Sequence, residues 1–328
     1  MMKKILSLLL AILMILSMAA CSSGSDDDDD DDDRKHSSSN KNNDNDDDRD
    51  ADDDDDDNMP GADTDGDDSD VKPAGDIIFQ ETVFVDDENC TFTIKSIDPD
   101  GDWGYTLKAF MENKTDLNLM FSLDDVSVNG FMCDPFWACD VSSGMKSNEQ
   151  ICFYDSSLEE LGITNVTDIT FTLSVYDYDD FTAEPLVEET FTIYPMGEDA
   201  VEPYVRTPVE NEIVLFENED VTMIVIGEEY DPDWGYTLVV YLENNTDQTM
   251  MFSADDVAVN GFMCDPFWGS TVEPGKRAIR NISWYTEALA ENDITEVDSI
   301  TMAITVYDYN DWMADYIIDD NFTIEPNF

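Results

Sequence analysis

Histidine is almost missing from this sequence: the single one, His36, stands in a low-complexity stretch of Asp and Ser. A folded part without imidazole has no His-dependent triad, no imidazole metal ligand and none of the commonest general base. Basic residues are scarce too. Fifteen Lys and Arg face 78 Asp and Glu, for a formal net charge of −63 in 328 residues. Nucleic acid and anionic lipid headgroups are held mainly through Lys and Arg, so both are set aside as ligands. No two of the six cysteines have CxxC spacing, which argues against zinc knuckles and thioredoxin-type redox sites. Beyond Cys21 the cysteines are odd in number (Cys90, Cys133, Cys139, Cys152 and Cys264), so at least one lacks an intramolecular partner. Past residue 20 no apolar run approaches the ~20 residues of a spanning helix. No cofactor and no metal site is expected.

What is present begins with a leader. Lys3 and Lys4 form a positive n-region, residues 5–16 are almost wholly apolar, and Met18, Ala19 and Ala20 precede Cys21. Residues 1–20 therefore read as a secretory signal peptide. The junction Leu16-Ser17-Met18-Ala19-Ala20-Cys21 resembles the lipobox of bacterial lipoproteins, with Met18 in place of the family's usual Leu. The resemblance implies that Cys21 receives a diacylglycerol on sulfur and becomes the mature N-terminus. It also implies that the chain meets the membrane through this lipid anchor, on the extracytoplasmic face. Each buried CH₂ contributes about 0.8 kcal/mol, and about two acyl chains suffice for stable anchoring.

Residues 21–75 are then nearly all Asp, Ser, Asn and Gly, with unbroken Asp at 26–33 and 52–57. High charge with nothing to bury predicts a disordered tether extended by its own repulsion. Its reach lies between ~40 Å for a flexible coil and ~180 Å fully stretched.

The remainder is a duplication. Shifted by 131 residues, the sequence aligns with itself without a gap from Gln80 to Pro195. Residues 103–107 and 234–238 both read Trp-Gly-Tyr-Thr-Leu, and the longest identity is the ten residues 128–137 against 259–268. A constant offset over a domain-sized length means tandem duplication. It predicts one domain over 76–196, a linker over 197–210 broken by Gly197, Pro203 and Pro208, and a second domain over 211–328.

Each copy reads as all-β. Ile169, Phe171, Leu173 and Val175 alternate with polar residues, as do Ile300, Met302, Ile304 and Val306; a period of two marks a strand with one buried face. Asn129-Gly130 and Asn260-Gly261 supply the φ > 0 residues of tight hairpins. The one helical patch is short, 156–161. Seven or so strands in about 115 residues predict two tandem immunoglobulin-like β-sandwich domains. Glu112-Asn113-Lys114-Thr115-Asp116, Met120-Phe121-Ser122, Asp124-Asp125-Val126, Val128-Asn129-Gly130 and Val175-Tyr176-Asp177 carry a family resemblance. They look like the telokin-like, immunoglobulin-fold domains of unknown function found in bacterial lipoproteins. That resemblance implies an extracytoplasmic sandwich and no established chemistry.

Candidate chemistry is thin. Asp98-Pro99-Asp100-Gly101-Asp102 begins like a calcium loop, but Trp103 and Ala109 occupy the places of the EF-hand glycine and terminal carboxylate, so a strand-connecting turn is expected. Asp177, Asp179 and Asp180, with Asp308 and Asp311, form a second acidic loop able at most to attract divalent ions weakly. The repeated rings Trp103, Tyr105, Phe136, Trp137, Tyr176 and Tyr178 recur as Trp234, Tyr236, Phe267, Trp268, Tyr307 and Tyr309. Large rings usually fill a small core. Tyr176, Tyr178, Tyr307 and Tyr309 fall on the outward phase of their strands and are the first choices for ligand contact. Trp137 and Trp268 belong either to the core or to a groove. Asp124-Asp125 are expected on opposite faces of a strand, which disfavours a carboxylate pair of the glycosidase kind. The expectation is a non-catalytic, surface-displayed binding module, with a cell-wall or extracellular polysaccharide or another surface protein as partner. The alternatives are a carbohydrate-binding or solute-capturing lipoprotein using the repeated aromatics and, last, a carboxylate-based hydrolase. No catalytic residue is assigned.

Overall fold

A computed structural model describes residues 76–231, 235–311, 313–326 and 328. The leader, Cys21, His36, the acidic tether and Trp234 lie outside the described residues. The first repeat runs β1 (Thr82–Asp86), β2 (Cys90–Gly101), β3 (Gly104–Asn113), β4 (Leu119–Val128), β5 (Phe131–Met132), β6 (Ala138–Val141), β7 (Lys146–Phe153), a short helix α1 (Asp155–Glu160), β8 (Ile169–Asp177) and β9 (Val187–Ile193). After a single 3₁₀ turn at Glu198–Ala200, the second repeat follows with the same order. It comprises β10 (Ile213–Glu217), β11 (Val221–Asp231), β12 (Gly235–Asn244), β13 (Met250–Val259), β14 (Phe262–Met263), β15 (Gly269–Val272), β16 (Arg277–Trp284), α2 (Thr286–Ala290), β17 (Ile300–Asp308) and β18 (Ile318–Ile324). The described chain is all-β and sandwich-like.

In the first repeat β1-β2-β3-β7 form one sheet, while β4 carries β8 and β9 on one side and β5 and β6 on the other. Consecutive β3 and β4 thus lie in different sheets and pair with consecutive β7 and β8. The second repeat has the same arrangement. The alternation of β8 does what its period requires. Ile169, Phe171, Leu173 and Val175 are buried and the intervening residues are partly open. Rings from the two sheets meet in the middle: Phe84 of β1 lies edge-on to Phe171 at 5.8 Å, and Phe92 of β2 is 6.4 Å from the same ring. In the duplicate core Phe252 is fully buried, with the partly buried Phe216 stacked 6.5 Å from it.

Turns are duplicated to the level of dihedrals. Asn129 and Gly130 have φ of 50° and 78°, and Asn260 and Gly261 have 50° and 84°, the left-handed pair that a two-residue type I′ hairpin demands. Of the sequence Asp98–Asp102, the first four residues end β2, which pairs with β3 up to Gly101 opposite Gly104, and only Asp102 and Trp103 make the turn between the strands. One expectation fails here. The β4–β8 register slips between Asp124 and Ser127, Asp125 takes a φ of 53°, and both Asp124 and Asp125 are exposed. A β-bulge cancels strand alternation locally, so the two carboxylates are not on opposite faces. β13 has the same slip, with Asp256 at φ 49°.

The two repeats join through one sheet. β16 is the edge of the β10-β11-β12-β16 sheet, and β5 of the first repeat lies parallel beside it, with Phe131 opposite Arg277. The Arg277 N–H donates to the Gly130 carbonyl at 2.9 Å, and the Arg280 guanidinium donates to the Met132 carbonyl at 3.4 Å. Phe131 packs with Ile224 and Tyr241, flanked by Leu161, Ile226 and Ile279, while Met132 joins the core of the second repeat. The segment after the 3₁₀ turn takes part: Tyr204 sits 5.1 Å from the Phe131 ring, Arg277 4.5 Å from Tyr204, and Arg206 both pairs with Glu212 and covers Tyr241. Arg206, Lys276, Arg277 and Arg280 are half of the eight basic residues between 76 and 328, and all four gather here.

Candidate functional site

The four tyrosines stand where β8 and β17 end. Tyr176 faces Met120 across the β4–β8 ladder and Tyr307 faces Met251 across β13–β17. Tyr178 is exposed, and its N–H donates to the Asn118 carbonyl at 2.9 Å. Asn118 in turn donates from Nδ2 to Asp179 at 3.0 Å. Phe181 closes the group, its ring 5.7 Å from Tyr176 and 5.9 Å from Tyr178. In the second repeat Tyr307 lies 5.3 Å from Tyr316, with Tyr309 exposed beside them. Partial burial, then the Asp124 carboxylate, raises the Tyr176 hydroxyl; burial, then Tyr316 and Asp255, does the same for Tyr307. Each repeat therefore carries a small shelf of rings near carboxylates, bordered in the first repeat also by the Asn118 amide, an arrangement suited to stacking on a flat, hydroxyl-rich ligand.

Trp137 and Trp268 are elsewhere. Both are half-buried against their cores, and the Trp137 ring is 6.4 Å from Phe92. Among the described residues no ring contact joins them to the tyrosines, so they wall the core and do not extend the shelf. Tyr105 and Tyr236 are buried, while Trp103 is exposed.

Phe136 and Phe267 depart most from the expectation that rings fill the core. They are 88% and 91% exposed, with φ of 50° and 51°. A left-handed backbone costs an L-residue roughly 1–2 kcal/mol. It is held by Asp134 and Asp265, whose Oδ1 atoms accept the Phe136 and Phe267 N–H at 2.6 and 2.7 Å. Burial raises the Asp134 carboxyl, and the Phe136 N–H opposes that shift. Both phenylalanines lie in the ten-residue identity. That identity was the available signal, because a run kept in both copies yet partly exposed is not explained by packing alone.

Other features are structural. Asn113 is buried, donates to the Leu117 and Val141 carbonyls at 2.8 and 2.7 Å, and accepts from Thr115 N–H and hydroxyl. Asn244 repeats every one of these bonds with Gln248, Val272 and Thr246. All five described cysteines are free thiols. Cys133 and Cys264 are buried, and burial pushes the Cys133 thiol up to about 11 and Cys90 up to about 12, far from a reactive thiolate. Asp125 keeps part of its surface open to water, but the packing around its carboxyl, followed by Glu273, Asp124 and Asp134, pushes it up to about 6. Among the described residues no three His, Cys, Asp or Glu converge to hold a metal ion. The second repeat also has an open concavity of about 330 Å³ bordered by Tyr230, Tyr236, Leu289 and Ile294. The Tyr236 hydroxyl donates to Glu228 at 2.6 Å there, whereas the matching Tyr105 hydroxyl is buried without a partner and Ile97 replaces the glutamate.

No protein-family model matches this sequence, and no curated protein is similar enough to serve as a relative.

Proposed function

We propose that the chain is an exported lipoprotein, anchored through Cys21 on the extracytoplasmic face of the membrane, whose duplicated sandwiches act as a non-catalytic binding module. Two immunoglobulin-like domains fit the connectivity: β3 and β4 interlock with β7 and β8, as paired strands do across the two sheets of that fold. The observation that carries the binding role is Phe136 with Phe267. Two phenyl rings at matching positions stand almost wholly in water on a left-handed backbone. Strain of that kind, kept in both copies beside an exposed apolar ring, favours a contact surface over a packing role. The expected partner is a cell-wall or extracellular polysaccharide or another surface protein.

A second reading is capture of a carbohydrate or small solute on the tyrosine shelves. It is favoured by Phe181 lying within 6 Å of both Tyr176 and Tyr178 beside Asp179. One series of experiments separates the readings. Wall-polysaccharide pull-down and a glycan array are run on the wild type, on Phe136→Ala/Phe267→Ala and on Tyr178→Ala/Tyr309→Ala. Loss of binding in the first pair alone supports the phenylalanine surface, and loss in the second alone supports the shelves. The anchor is tested by Cys21→Ser, which should move the protein from the cell-bound fraction to the medium and abolish labelling by an acyl-chain precursor. Unchanged labelling rejects it.

A further inference from the structure

Within the ten residues shared by both repeats, the Phe-Met pair at the hairpin tip has opposite fates. In the first, Phe131 and Met132 are 4% and 8% exposed because β5 is seated on β16. In the second, Phe262 and Met263 occupy the same hairpin tip, β14, and are 50% and 67% exposed. The backbone tells the same story. A Cβ on Gly130 would stand 3.1 Å from the Arg277 guanidinium, while one on Gly261 would meet nothing within 4 Å. The second repeat therefore presents, unpartnered, a duplicate of a surface whose partner is visible within the same molecule.

That partner also has a duplicate. β7 is the first repeat's counterpart of β16 and the edge of its own sheet. Lys146 replaces Arg277 and pairs with Glu112 at 3.0 Å, as Arg277 pairs with Glu243 at 3.0 Å. Phe110 replaces Tyr241. Lys95 lies 4.8 Å and Lys146 5.9 Å from its ring, as Arg206 lies 5.1 Å from Tyr241. Charge gives a partial match: Asp255, Asp256 and Asp265 flank the free tip and are exposed, while the β7 edge carries Lys146 and receives Lys95 of β2, which donates to its Asn148 at 2.8 Å.

We propose that the occupant of this tip is a second copy of the same chain, with Phe262 and Met263 of one molecule seated on the β7 edge of the next in the register β5 adopts on β16. The contact is heterologous, so repeating it generates a head-to-tail row, or a ring where the rotation closes. It should be weaker than the internal joint, since Ile224, Ile226 and Ile279 become Thr93, Lys95 and Asn148 and Arg280 becomes Glu149. A small, partly polar contact of this kind belongs to the transient class. The inference stands apart from the proposed role of Phe136 and Phe267, and polysaccharide binding could persist with self-association absent.

The test uses unlipidated Cys21→Ser protein in sedimentation at physiological salt. Between ~10 μM and ~1 mM, the range of weak specific contacts, the weight-average mass should rise at least twofold. Phe262→Asp/Met263→Asp and Lys146→Glu should each remain monomeric. Mixing the two variants should restore dimers and nothing larger, because only one intact tip and one intact edge remain. Both tip positions are exposed, so unchanged thermal melts would show that the fold is retained. Phe262→Ala, a milder change, should give intermediate association. A wild type monomeric throughout overturns the proposal, as does self-association unaffected by all three variants.

Discussion

At the residue scale the clearest duplicated device is the buried asparagine. Asn113 and Asn244 each hold the loop after a central strand by donating to two carbonyls and accepting from a threonine. Alanine would leave the buried Val141 or Val272 carbonyl unpaired, at about 1–3 kcal/mol per repeat. Asn113→Ala should lower the denaturation midpoint accordingly, and Asn244→Ala by a similar amount; chemical denaturation with fluorescence reads both. Asp125 gives a pH prediction. Its carboxyl is pushed up to about 6 by burial and then by Glu273 and Asp124, above the ordinary ~3.9. The folded state thus holds the proton more tightly than the unfolded state. Stability from this group is full below about pH 4 and is lost as pH rises through about 6. Part of the residue remains in water, which screens the repulsion and limits the size of the effect. Asp125→Asn should therefore gain stability on wild type between pH 4 and pH 7. Comparing the two proteins across pH separates this gain from asparagine's constant preference for the left-handed backbone.

At the scale of elements, the joint is asymmetric. The first repeat contributes a two-residue strand, and the second contributes an edge plus an apolar platform of Ile224, Ile226, Tyr241 and Ile279. Cut apart, the second repeat loses more cover than the first. Residues 76–196 and 207–328 should each melt cooperatively alone, since each core is filled from its own strands except for Met132. The second fragment should lose stability relative to the tandem by a few kcal/mol, the scale of burying Phe131 and Met132, and should bind more of an apolar dye than the first does. Circular dichroism on the two fragments and the tandem decides this. Failure of both halves to melt cooperatively would mean a shared core.

For the whole molecule, charge dominates. Between residues 76 and 328 there are 54 acids and 8 bases, so the folded part repels itself and draws in counter-ions. A calcium site needs about 6–8 converging oxygens, and no set of three carboxylates converges among the described residues. Divalent cations should therefore bind in the millimolar range, raise the melting temperature by screening, and act nearly alike as calcium or magnesium. Calorimetry in moderate salt that returned a stoichiometric micromolar isotherm for calcium would contradict this.

Periodicity and repetition made much of this legible without coordinates. The alternation in β8 and β17, the Asn-Gly hairpins and the 131-residue offset dictate all-β repeats, because strand facing and positive φ are local properties of the chain. Of the four tyrosines placed outward by that alternation, Tyr176 and Tyr307 on the strands are half-buried, and Tyr178 and Tyr309 are exposed in the turns just beyond β8 and β17. What alternation could not convey was its own interruption: the bulge that leaves Asp124 and Asp125 both exposed arises from pairing with β8. Nor could it distinguish two identical segments. Phe131 is buried and Phe262 exposed because burial belongs to the neighbour, and only the docking of β5 on β16 supplies a neighbour to one and not to the other.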